Sequence, residues 1–109
     1  MPPSPAPDQL FSALGDPTRL NLFERLCRDG PATVVTLTGD AGVSQPAVSR
    51  HLAILRRAEL VTATPKGRTV VYAAHPQGLG GIVTWTRSMT RFWDKRLDAL
   101  SQLIERMEK

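Results

Sequence analysis

The stretch from Thr33 to Leu55 constrains this chain more than any other. Thr33 supplies a capping oxygen for a short helix through Val34, Val35 and Leu37. Gly39, Asp40 and Gly42 make the second half of that helix poor by propensity, so packing must hold it. Ser44 then offers the next capping oxygen, and Pro46 falls within the first turn, where a missing N–H costs nothing. Val48, Leu52 and Leu55 recur at four and three residues and give this helix, expected over 45–57, one buried stripe. Only Ala41-Gly42-Val43 separates the two helices, a tight connection.

A helix pair of this form is a helix-turn-helix, whose second helix presents its first turn to base edges in the DNA major groove. The residues opposite the buried stripe suit that task. Ser44, Gln45, Ser49 and Arg50 are expected to contact bases: Gln pairs with adenine, Arg with guanine, and Ser with either a base or a phosphate. His51 is read as a DNA-backbone contact or a partly buried ring, and Arg56 as a phosphate contact. Charge agrees with this placement. Between Ser44 and Arg68 lie Arg50, Arg56, Arg57, Lys66 and Arg68 against Glu59 alone, which accounts for the whole net charge of +4. A basic surplus gathered in one segment favours a polyanionic partner.

The flanking pattern completes a mainly α fold with a small β-hairpin, one domain over 8–109 behind a flexible proline-rich tail at 1–7. Asp8 is expected to cap a first helix to Leu14, ended by a left-handed Gly15. Asp16-Pro17 starts a second helix to about Arg28, with Leu20, Phe23, Leu26 and Cys27 on its core face. Val, Thr and Tyr enrichment on either side of Pro65-Lys66-Gly67-Arg68 predicts a hairpin over 60–74 with that tetrapeptide as its turn. Its tip, Lys66 and Arg68, is read as a wing along the phosphates or in the minor groove. A closing helix over 79–107 carries Trp93, Leu97, Leu100, Ile104 and Met107 at alternating spacings of four and three. That is too much apolar surface to leave wet, so Trp85, Met89, Trp93, Leu97, Leu100 and Ile104, with Leu10 of the first helix, are expected to form a homodimer interface. A two-fold pair would need a palindromic duplex.

Other function classes find little support. No apolar run reaches the roughly 18 to 20 residues that cross a bilayer, and Met1 to Pro7 lacks the regions of a secretory signal, so the expected location is cytoplasmic. Cys27, the single cysteine, reads as a small buried hydrophobe. Cys27, His51 and His75 are too few and scattered to predict a metal site, and no cofactor is expected. There is no glycine-rich phosphate loop, and no acid stands ready to orient His51 toward Ser44 or Ser49, so the chain is not read as an enzyme. The competing reading is a winged-helix protein-interaction module with little DNA affinity.

Asp16-Pro17-Thr18-Arg19, the run from Gly42 to Leu55, Leu60-Val61 and the Lys-Gly-Arg turn together resemble the ArsR family of winged-helix repressors, over roughly residues 8 to 105. The resemblance implies a dimer built from the first and last helices, binding an imperfect inverted repeat near its own promoter and blocking transcription. Phe92 to Leu100 is similar to members lacking metal sites. Metal-sensing members carry a Cys-x-Cys pair in the third helix or an Asp/His set in the last; here Val34 to Gly39 has no thiol and Ile82 to Lys109 no histidine. The inducing signal is left open. Glu59 stands where many relatives have glycine, and a left-handed backbone would cost it about 1 kcal/mol, so a departure from the usual cap is expected.

Overall fold

Short polar side chains start three of the helices. In the computed structural model, which describes residues 5–108 apart from the side chain of Asp40, the Asp16 carboxylate accepts the N–H groups of Thr18 at 2.8 Å and Arg19 at 3.1 Å. With Pro17 in the first turn it opens α2 (Pro17–Asp29). Thr33 Oγ1 accepts from Thr36 N–H at 3.3 Å and opens α3 (Val34–Ala41). Ser44 Oγ accepts from Ala47 N–H at 3.3 Å and opens α4 (Gln45–Arg57).

The first helix differs from expectation at both ends. It runs Pro7–Leu14 (α1), so Pro7 belongs to it rather than to the tail expected over 1–7; residues 1–4 of that tail lie outside the described residues. Asp8 sits inside the first turn, and the entry is held instead by Gln9, whose Oε1 accepts the Ala6 N–H at 3.0 Å. Gly15 is right-handed, at φ −73°, because the chain passes almost directly into the Asp16 cap. Its glycine answers a need for room, since a Cβ there would lie 3.0 Å from the Phe11 carbonyl oxygen.

One other helix face and one helix end differ from expectation. In α2 the buried residues are Leu22, Phe23 and Leu26, while Leu20 and Cys27 are exposed. Both stripes have helical spacing and share Phe23 and Leu26, and the core selects the one containing Leu22. At the end of α4 the usual left-handed cap does form, with Glu59 in it at φ 61°. Glu59 N–H donates to Arg56 O and Leu60 N–H to Leu55 O, each at 3.0 Å. Leu55 and Leu60, the apolar pair that accompanies such a cap, are both fully buried.

The cap turns the chain into β2 (Val61–Lys66), which pairs antiparallel with β3 (Thr69–Ala74) from Val61↔Ala74 to Lys66↔Thr69. Pro65 and Lys66 are therefore strand residues, and the turn is Gly67-Arg68 alone, with Gly67 at φ 65° as its first central position. Pro65 is tolerated because β2 lies at the sheet edge. A third strand, β1 (Ala32–Thr33), adds to the other side of β3 through Ala32↔Tyr72 and Thr33↔Val71.

One core unites these parts. Leu10, Leu37, Val48, Leu52, Leu55 and Leu60 are fully buried at its centre, contributed by α1, α3, α4 and the turn into β2. A short 3-10 turn, Pro76–Leu79, then leads into α5 (Gly80–Met107). With 28 residues α5 is about 42 Å long, and it accounts for much of the molecule's 73 Å longest dimension. Its first turns pack on α1, where Phe11 and Trp85 meet edge to face at 5.1 Å. From Thr90 to Met107 every residue is exposed. Among the described residues no helix is long and apolar enough to cross a membrane.

Candidate nucleic-acid interface

The α4 helix is divided lengthwise. Val48, Leu52 and Leu55 are wholly buried, whereas Ser44, Gln45, Ser49 and Arg50 are exposed on the other side. Gln45 and Ser49, four residues apart, share one row of the helix surface. Ser44 is exposed although its Oγ is engaged in the cap. The free N–H groups of this helix start carry a partial positive charge suited to a phosphate.

α3 holds α4 in place from behind the turn. Gly42 takes φ 72°, the left-handed conformation that lets the chain reverse from α3 toward Ser44. α3 is braced from α2, where Arg25 donates to the Leu37 carbonyl at 3.3 Å and to the Thr36 carbonyl at 3.2 Å, just ahead of its weak second half. Leu37 itself is fully buried.

The remaining basic groups are set apart from the helix start. Arg56 is exposed near the other end of α4, about 18 Å along its axis from Ser44. Lys66 and Arg68 are exposed at the hairpin tip, with Lys66 roughly 17 Å along the strand from Val61.

His51 is half-buried, and its Nδ1 lies 3.3 Å from Nη1 of Arg19 on α2. Arg19 had no assigned role in the sequence reading beyond its place in the Asp-Pro-Thr-Arg motif. Its partner is 32 residues away, and no local pattern could have announced it. Next to it, Asp16 has its carboxyl held below the ordinary value of 3.8, chiefly by the Arg19 backbone N–H. The Thr18 N–H and the Arg19 charge act in the same direction, and desolvation opposes them.

The apolar residues read as a pairing face divide into two groups. Leu10 is not on any surface: it is 0 % exposed, inside the chain's own core and beneath Gly81. Phe11, one position round the helix and 44 % exposed, takes the outward place. Trp85, Trp93, Leu97, Leu100 and Ile104 are exposed, and Met89 is half-buried. Among the described residues no group of three or more His, Cys, Asp and Glu could hold a metal ion.

Known proteins share this arrangement. Residues 16–63 match the model of the family described as bacterial regulatory protein, arsR family. An HTH-type transcriptional regulator of Mycobacterium tuberculosis is 42 % identical over 92 % of this chain and 90 % of its own length. The chain belongs to the arsR family. The transcriptional repressor SdpR of Bacillus subtilis is 30 % identical over 72 % of this chain and 86 % of its own length. Among solved structures, an ArsR-like transcriptional regulator from Rhodococcus sp. RHA1 is similar at a TM-score of 0.76, with 28 % identity over 88 % of this chain and 90 % of that one. As a member of the arsR family the protein is a DNA-binding transcriptional regulator with a winged helix-turn-helix fold, and it is not an enzyme.

Proposed function

We propose that this arsR-family protein acts in the cytoplasm as a homodimeric repressor of its own transcription, bound to an inverted-repeat operator. The observation that carries the reading is the division of α4, whose inner face is fully buried while Ser44, Gln45, Ser49 and Arg50 are exposed at its leading end. Those four residues contact bases; His51, Arg56, Lys66 and Arg68 contact the DNA backbone. The subunits join through α1 and α5, by Phe11, Trp85, Met89, Trp93, Leu97, Leu100 and Ile104. Burying one such side chain is worth roughly 1.5 to 3 kcal/mol, so the set is sufficient to drive association. Neither a metal nor a cofactor takes part.

The test is binding of the full chain to a fluorescent duplex carrying the DNA upstream of its own gene. Six to ten phosphate contacts predict a loss of affinity of roughly 10³ to 10⁵ between about 50 and 200 mM salt. No retained duplex at any salt, together with a protein partner that co-purifies through α5, would instead make the chain an interaction module.

A further inference from the structure

Arg19 reaches three places from one guanidinium. Its Nε donates to the Ala13 carbonyl at 2.7 Å and its Nη2 to the Ser12 carbonyl at 3.3 Å, both at the C-terminal end of α1. Its Nη1 lies 3.3 Å from His51 Nδ1 on α4, and 4.0 Å from Asp16 Oδ2. A guanidinium donates and never accepts, so the contact requires His51 Nδ1 to be the unprotonated nitrogen of a neutral ring. The ring proton is then on Nε2. We infer that Arg19 is a positioning residue for DNA recognition: it ties α4 to the end of α1 through His51, and leaves the His51 Nε2–H as a donor to a DNA phosphate.

The inference rests on the proposed DNA reading, which it deepens by adding a residue that never touches the duplex. Its physical basis is economy of donors. At the end of α1, Arg19 donates to the Ala13 carbonyl and to the Ser12 carbonyl, which also accepts the Gly15 N–H at 3.3 Å, through rigid, coplanar N–H groups while a third reaches α4. A lysine has the charge but not that fork. α1 and α4 are thereby referred to one planar group, and because α1 also carries Phe11 against Trp85, the proposed pairing face and the base-reading helix share this fixed point.

The experiment uses the full chain, with a duplex that the wild type selects from a random pool as the probe. Long-range proton–nitrogen NMR of the labelled protein should show the Nε2–H tautomer for His51, and a mixture of tautomers in Arg19→Lys. Arg19→Lys and His51→Ala should each weaken the duplex about tenfold, the scale of one charge-assisted hydrogen bond, and the double variant should lose no more than either alone. His51→Ala leaves the α1 contacts of Arg19 in place, so its folding is secure even if a change at Arg19 loosens that corner. A wild-type His51 proton on Nδ1, wild-type affinity in folded Arg19→Lys, or losses that multiply in the double variant would each overturn the inference. A wild type that selects no duplex would defeat the DNA reading itself, while the tautomer measurement still decides the contact.

Discussion

Glu59 holds a left-handed backbone at φ 61° with a side chain that disfavours it, and the surroundings forbid a simple escape. A Cβ on Gly78 would come within 2.1 Å of the Glu59 carbonyl oxygen, so the 3-10 turn presses directly on this cap. Glu59→Gly should therefore stabilise the fold by about 1 kcal/mol in urea unfolding, less the entropy that glycine adds to the unfolded chain. Gly78→Ala should destabilise it by about 1 to 3 kcal/mol in the same measurement. Asp16 gives a pH-dependent counterpart. Its carboxyl is lowered in the folded state, so its stabilisation is complete above the ordinary 3.8 and disappears as pH falls through the lowered value. The stability gap between wild type and Asp16→Ala should accordingly narrow on acidification below 3.8, and a gap that widens there would contradict the cap's role. Residues whose role is local, such as Asp16, Thr33 and Ser44, were legible in the sequence because a cap is defined by its own next three N–H groups. Leu10, Leu20 and Cys27 were misread because neighbouring helical stripes have the same period, and only the assembled core chooses between them.

At the scale of elements, α4 and the hairpin make separable contributions. Arg50→Ala should cost about 1 to 3 kcal/mol on the selected duplex and less on random DNA, since a base contact discriminates. Lys66→Ala or Arg68→Ala should weaken both duplexes alike and reduce the salt slope by about 1, as a phosphate contact does. Equal losses from Arg50→Ala on both duplexes would move that residue to the backbone class. The periodicity of Val48, Leu52 and Leu55 was enough to orient α4, because a stripe flanked by Ser, Gln and Arg has one apolar side only. β1 was invisible for the opposite reason: it spans two residues and exists only through pairing with β3, some forty positions away. The hairpin turn was drawn too wide because Pro65 reads locally as a turn residue, whereas an edge strand accepts it.

For the whole molecule, the exposed length of α5 is the feature that a lone chain explains least. Trp93, Leu97, Leu100 and Ile104 are all about half exposed on a helix that projects from the body, and Phe92 is covered only by its neighbours, with the Arg96 guanidinium 4.5 Å from its ring centre. Leu100→Asp should leave the melting curve of the body nearly unchanged while sedimentation shows single subunits, and it should remove operator binding with them. The most direct test of the central claim is hydroxyl-radical footprinting of the wild type on its upstream DNA. Two protected half-sites in inverted orientation, centred about 34 Å apart, are the predicted result. A single unpaired footprint, or uniform protection without half-sites, would contradict the account.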